Sequence, residues 1–337
     1  MNQVGLVAIG RNEGERLHQC LRSVIGEVFP IVYVDSGSTD GSVEFARSLG
    51  VDVVELDLSI PFTAARARNE GFNRVLEIHP DVEFVQFVDG DCEIRTGWLE
   101  LAAKELQQQE QVAIVCGRRR ERYPEQSIYN SLCDLEWDTP VGEAKACGGD
   151  SMVRVGAFQQ VAGFNPSIIA GEEPELCFRL REQGWKIVRL DGEMTLHDAQ
   201  MTQFDQWWRR NIRAGHAYSE GAWLHGKSPE RYRIKESLSI WFWAVILPTI
   251  TLGLTWLTSG WSLLLLSGYP LLGYRIFRSQ KQHRLTFRQA VLYSVFCLLG
   301  KFPQAQGQLY FHWSRLLGQK TALIEYKSNL TKVSPSA

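Results

Sequence analysis

The chain has 337 residues, 45% of them hydrophobic and 22% charged, enough for one large α/β domain and an appendage. Its formal net charge of -2 hides an asymmetry: from Leu238 onwards ten lysines and arginines stand against Glu325 alone, a charge of +9 that leaves -11 for residues 1–237. An acidic body before a basic, tryptophan-bearing tail argues against nucleic-acid binding and for an anionic membrane surface. None of the seven cysteines forms a C-x-x-C pair, so they read as buried thiols of a reducing compartment. The start, Met1-Asn2-Gln3 running into Val4–Ile9, is too short and too uncharged for a secretory signal. The body is therefore expected to stay in the cytoplasm.

Through about residue 120, β-rich runs alternate with helical ones, the pattern of a mostly parallel sheet flanked by helices. Strands are expected at Val4–Ile9, Ile31–Val34, Val51–Leu56, Phe84–Val88 and Val112–Cys116. Helices are expected at about Asn12–Val24, Ser42–Ser48, Thr63–Leu76 and Gly97–Gln107, the second with Thr39 or Asp40 as N-cap. Residues 121–200 are less regular: helices at Val155–Val161 and Pro174–Gln183 and a strand at Lys186–Leu190. Residues 201–236, rich in Trp and Arg, have the composition of a segment lying along a lipid interface.

Ser237 to Tyr274 is 38 residues without a charge. As one helix it would be roughly 57 Å long, against a hydrocarbon core of ~30 Å. A break at Thr258-Ser259-Gly260 divides it into a helical hairpin, with Pro248 and Pro270 as tolerated kinks. The following stretch, Arg275–Arg288, carries five Arg or Lys, which places it on the cytoplasmic side with the N-terminal body. Ala290–Gly300 is too short to span and reads as an interfacial or re-entrant helix before a basic cytoplasmic tail.

The sharpest chemical signal is Phe84-Val85-Gln86-Phe87-Val88-Asp89-Gly90-Asp91, two carboxylates just past a buried strand. A hard dication such as Mn²⁺ or Mg²⁺ is held by few carboxylates when phosphate oxygens fill its remaining positions. Upstream, Val34-Asp35-Ser36-Gly37-Ser38-Thr39-Asp40 ends a strand in a carboxylate and a glycine turn, and Gly10-Arg11-Asn12-Glu13-Gly14 ends the first strand. Asp40 could cap its helix or touch a ligand, whereas Asp35 has no evident local task and is favoured as a binder. Three strand ends thus offer polar groups along one sheet edge, where open α/β sheets bind ligands.

These motifs, with Ala65-Arg66-Ala67-Arg68-Asn69-Glu70-Gly71 and Gly148-Gly149-Asp150-Ser151-Met152-Val153-Arg154…Gly163-Phe164, resemble the family-2 inverting glycosyltransferases of the GT-A fold over residues 4 to about 190. The resemblance implies a Rossmann-like GT-A domain over residues 1–200, with a nucleotide-sugar half (1–120) and an acceptor half (121–200). It implies Asn12, Glu13 and Asp35 near the nucleoside, Arg68 near the donor pocket, Asp89 near ribose or metal, and Asp91 on the metal. Gly171-Glu172-Glu173-Pro174-Glu175 looks like that family's Glu-Asp motif, whose second acid is the general base. Here the position is Glu173, a glutamate where the family has aspartate, which leaves the choice among Glu172, Glu173 and Glu175 open.

His197 follows the acceptor half where some related enzymes supply a further metal ligand. Gln206-Trp207-Trp208-Arg209-Arg210 departs from the Gln-x-x-Arg-Trp motif of processive members, which speaks for transfer of a single sugar. The expected reaction uses a nucleotide-diphosphate donor, UDP-sugar first, and a lipid-linked or other membrane-presented glycan acceptor at the inner membrane. A sugar-phosphate nucleotidyltransferase is the alternative among enzymes, although Gly10–Gly14 is a poor phosphate loop. A non-catalytic membrane scaffold of the same fold is the alternative outside them.

Overall fold

The computed structural model describes residues 3–282 and 285–318. The chain forms two compact units, Met1–Ala199 and Gln200–Ala337. In the first, one mixed sheet is built from β1 (Val4–Gly10), β2 (Ile31–Asp35), β3 (Asp52–Glu55), β4 (Phe84–Asp89), β5 (Cys92–Ile94), β6 (Val112–Glu121), β7 (Gly142–Ala144), β8 (Ser151–Arg154) and β9 (Lys186–His197). The strand order is β3-β2-β1-β4-β8-β6-β9-β5, with β7 on β9.

Alternation along the strands sorts the core into two layers, because successive side chains point to opposite faces. Leu6, Ala8 and Tyr33 pack with α1 (Glu15–Arg22) and α4 (Trp98–Gln108). Val7, Ile9, Val32 and Val34 pack with α3 (Ala64–Ile78) and α7 (Glu172–Glu182). A sheet covered on both faces needs strands apolar throughout, which is why β1 and β2 read as continuous hydrophobic runs. α3 lies close enough that a Cβ on Gly71 would come within 2.4 Å of Val7 Cγ1 and 2.9 Å of Val34 Cγ2. Glycine is required there by contact.

The expected parallel arrangement holds for β3-β2-β1-β4 and again for β6 with β9. Between these blocks β8 runs antiparallel to both β4 and β6, and β5 and β7 run antiparallel to β9. These three short strands, and α5 (Ile128–Glu136), are absent from the sequence reading. β6 and β9 also extend well past their expected ends, into Gly117–Glu121 and Asp191–His197. Those halves are polar, so no apolar period marks them; pairing with each other sustains them.

In the second unit, α8 (Phe204–His225) packs along α13 (Lys301–Leu316). Gln206 closes a capping box with Gln203 at the start of α8. α9 (Ile234–Trp241) runs through a π-turn at Phe242–Ile246 into α10 (Leu247–Leu254). Ile234–Leu254, 21 residues containing an 18-residue stretch of mean hydropathy 1.7, is the one helix among the described residues long and apolar enough to cross a membrane. The chain then turns at the expected break, where Ser259 and Gly260 have φ of 49° and 91°. The return leg begins as a 3-10 helix, Trp261–Ser267, and continues as α11 (Gly268–Gln282). Of the two apolar legs expected, only the first therefore meets the length and composition of a crossing helix. α12 covers Phe287–Leu299, and most of the basic tail lies outside the described residues.

Candidate active site

Register brings the strand ends level. Gly10 pairs with Asp35, and Ile9 pairs with both Val34 and Asp89, so the β1, β2 and β4 termini open on one edge.

At the β2 end, Asp35 is buried and already engaged. Tyr33 Oη donates to Oδ1 at 2.9 Å, and the N–H groups of Gly37 and Ser38 donate to Oδ2, each at 2.8 Å. Asp35 thus holds the glycine turn, a local task that the sequence reading did not assign it. Burial and the adjacent Asp35 carboxylate push the Tyr33 phenol far above its usual range, so it stays a donor. Asn12, at a φ of 55°, stitches the first two loops together: its Oδ1 accepts from Thr39 N–H at 2.8 Å, and its N–H donates to Ser38 Oγ at 2.9 Å. Glu13 pairs with Arg16 at 2.7 Å, and its stem would lie 3.3 Å from a Cβ on Gly90, against the Asp89-Gly90-Asp91 turn. Asp40 Oδ2 accepts from Gly14 N–H while Oδ1 takes Ser42.

The β4 end carries a chain of alternating charges. Arg68, only 2% exposed, donates Nη1 to Glu172 and Nη2 to Asp89 Oδ1, both at 2.7 Å. Arg119 Nη2 reaches Asp89 Oδ2 at 3.2 Å and Asp150 at 2.7 Å. Asp150 is fully buried; it also accepts from the Asp89 N–H at 3.0 Å and from Thr195 Oγ1 at 2.7 Å. Burial alone would lower both arginine pKa values, but Asp89 and Glu172 at Arg68, and Asp150 and Asp89 at Arg119, raise them. Both guanidiniums remain cations. Gly149 covers this network; a Cβ there would lie 2.8 Å from Asp89 Oδ2 and 2.9 Å from Arg68 Nη2.

Asp91 stands in the turn between β4 and β5. Its Oδ2 lies 3.3 Å from His197 Nε2, with both residues buried. Register explains the meeting: Cys92 pairs with His197 across β5 and β9, and Glu121 pairs with His197 across β6 and β9. Glu121 Oε2 lies 3.6 Å from His197 Nδ1 and is fixed by the Ala199 N–H at 3.1 Å. Trp137 sets its ring edge-on to His197, 4.7 Å between centroids, and also lies under Arg119 at 5.4 Å. A buried carboxylate and imidazole side by side, with a second carboxylate behind the imidazole, is a donor set that a divalent ion fits.

The three acids at the start of α7 separate by partner. Glu172 takes Arg68, Glu175 takes Arg179 at 2.8 Å, and Glu173 Oε1 accepts from the Gly148 N–H at 3.3 Å. Asn69 clamps the Gly163-Phe164 segment by accepting from Phe164 N–H and donating to Phe164 O.

Sequence reasoning passed over Arg119, Glu121, Trp137, Asp150 and Thr195. Asp150 stood inside a quoted motif without a task, and Arg119 and Glu121 lie on the half of β6 that has no apolar signature.

The profile described as Glycosyl transferase family 2 matches residues 7–154. A curated relative, Glycosyltransferase AglE of Haloferax volcanii, is 23% identical over 217 residues, which is 60% of this chain and 69% of that protein. A TPR repeat-containing protein of Synechococcus elongatus is 31% identical over 141 residues, 42% of this chain and 33% of its own length. Among solved structures, a mannosyltransferase from Pyrobaculum calidifontis, in complex with GDP-Man and Mn²⁺, superposes with a TM-score of 0.58 at 15% identity, covering 91% of this chain and 87% of that one. Residues 7–154 thus match the glycosyl transferase family 2 profile, and the chain shares the GT-A fold of the Pyrobaculum structure.

Proposed function

We propose that the chain is a metal-dependent inverting glycosyltransferase that moves one sugar from a nucleotide-diphosphate donor, a UDP-sugar, to a lipid-linked acceptor at the cytoplasmic face of the inner membrane. One observation supports this above the others: Asp91 and His197 meet at 3.3 Å beside the edge where β1, β2 and β4 end. Asp91 and His197 would hold the dication, with Asp89 beside them and Glu121 orienting the imidazole. Imidazole suits Mn²⁺ better than Mg²⁺, and a Mn²⁺ complex is known for the Pyrobaculum protein of this fold. When bound, such an ion offsets the charge of the nucleoside diphosphate.

The remaining tasks fall to this chain's own groups. Asn12, Glu13 and Asp35 line the nucleoside end, while Arg68 and Arg119 keep positive charge beside Asp89. Glu173 takes the proton of the acceptor hydroxyl as its oxygen attacks the anomeric carbon opposite the leaving diphosphate. Glu172 is the alternative base; it pairs with Arg68, and Glu175 pairs with Arg179. Residues 201–236 serve as an interfacial bridge and 237–274 as the membrane hairpin. The Ile234–Leu254 helix is roughly 32 Å long, and the basic stretch after it sets the cytoplasmic orientation.

The test is to incubate the detergent-solubilised protein with a panel of nucleotide-sugars and a polyprenyl phosphate extract, with and without chelator. Chelator-sensitive release of a nucleoside diphosphate and a glycosylated lipid is expected. Release of pyrophosphate instead would make the chain a nucleotidyltransferase, and D91A that preserves the cellular phenotype would make it a scaffold.

A further inference from the structure

Among the seven free cysteines, Cys147 and Cys177 approach to 3.5 Å, sulfur to sulfur. Cys147 lies in the segment between β7 and β8, next to Gly148. Cys177 lies on α7, four residues after Glu173 and so on the same helix face. The segment and the helix are therefore joined by two adjacent rungs: the thiol pair, and the Gly148 N–H donated to Glu173 Oε1 at 3.3 Å.

We infer that Cys147 and Cys177 are a redox modification site, a dithiol that a peroxide converts into a disulfide and that thereby displaces Glu173. Cys147 is half-buried and Cys177 fully buried, so a small oxidant meets Cys147 first. The Cys147 contact, then burial, push the Cys177 thiol well above the usual range, which keeps it protonated until its neighbour has reacted.

In the first step Cys147 Sγ attacks a peroxide oxygen, giving the sulfenic acid and water. In the second, Cys177 Sγ attacks the Cys147 sulfur, and the hydroxyl leaves as water with the thiol proton. Two thiols thus lose two protons and two electrons to one hydrogen peroxide, which becomes two waters. Closing the first rung pulls the Cys147–Gly148 backbone toward α7 and shifts the second rung, where the carboxylate of Glu173 is held. The effect on turnover rests on the base role proposed for Glu173; the disulfide chemistry does not.

The full chain in detergent is treated with hydrogen peroxide, alkylated, digested and mapped by mass spectrometry, in parallel with donor turnover. A Cys147–Cys177 cross-linked peptide that dithiothreitol removes is expected, with turnover falling about tenfold or more and recovering on reduction, since a displacement near 1 Å at a reacting group can cost ~10²-fold. C147S and C177A should each give no cross-link, and each should keep its reduced-state turnover under peroxide. Peroxide-treated wild type with both thiols fully alkylated, or with Cys147 carried only to the sulfinic acid, overturns the site. A cross-link with unchanged turnover overturns its coupling to Glu173. A protein inactive even when reduced refutes the transferase reading alone, since the peptide map still decides the disulfide.

Discussion

His197 Nε2 lies 3.3 Å from Asp91, and on its far side Nδ1 lies 3.6 Å from Glu121. The imidazole thus lies between two carboxylates, Asp91 in the turn between β4 and β5 and Glu121 at the end of β6. If Asp91 and His197 bind the ion, the two acids do different work. D91A should lower metal-dependent turnover by at least about 10²-fold at any Mn²⁺ concentration. E121Q should instead raise the Mn²⁺ concentration for half-maximal activity by about 10- to 100-fold while leaving the saturated rate nearer wild type. Titrating activity against Mn²⁺ for the two variants separates them; identical behaviour would remove Glu121 from the metal site.

The buried charge chain gives a stability contrast. Arg68 is paired with two carboxylates and only 3% of its side chain is exposed. R68A would take a cation from Glu172 and from Asp89, which keeps Arg119, and breaking a buried pair in this way costs about 3–5 kcal/mol. Arg47 pairs with Glu55 at 2.6 Å, but both side chains are more than half exposed, so R47A should cost under about 1 kcal/mol. Thermal melts of the full chain measure both. Adding E172Q to R68A should recover part of the loss, because it removes the charge of one of the two carboxylates that lost Arg68.

The legible and illegible parts of this site differ in what pairs with what. Asp35, Asp89 and Asp91 stand directly after apolar strands whose hydrophobic runs announce them, and α2 lies at Ser42–Ser48 as its pattern demands. The meeting of Asp91 with His197 depends on β5, three residues long, pairing antiparallel with the far end of β9, and no local period encodes a register between strands so distant. Arg119 and Glu121 were hidden for the converse reason: the Arg118–Glu121 half of β6 is charged because its partners are charges, and it reads as loop. Asp35 was legible as important, but its local task in the turn was not. Its turn-holding bonds to Gly37 and Ser38 follow from Asp-x-Gly-Ser chemistry common to many turns.

Asp40 should make part of the stability pH-dependent. Burial opposes its charge, but hydrogen bonds from the Ser42 hydroxyl and N–H, and from Gly14 N–H, hold its pKa below the ordinary aspartate range. A carboxyl whose folded pKa is depressed stabilises fully above the unfolded value and loses that contribution as pH falls through the folded one. At pH 7, D40A should therefore cost about 1 kcal/mol, the scale of a lost hydrogen-bonded turn. The gap between variant and wild type should narrow only below about pH 4. Melting curves taken from pH 7 down to 3 test this, and a gap that widens on acidification would contradict the sign.

The three acids opening α7 give the most discriminating comparison. Glu172 and Glu175 are each bound to an arginine, Arg68 and Arg179, so glutamine at either leaves a cation short of its partner and should lower the melting temperature. Glu173 is half-buried and accepts from the Gly148 N–H. E173Q preserves an acceptor oxygen for that N–H, while the loss of a proton acceptor should reduce kcat by about 10²- to 10⁴-fold with KM for the donor little changed. If E173Q turns over normally and E172Q does not, the base is Glu172, and Arg68 must then release it when the acceptor arrives.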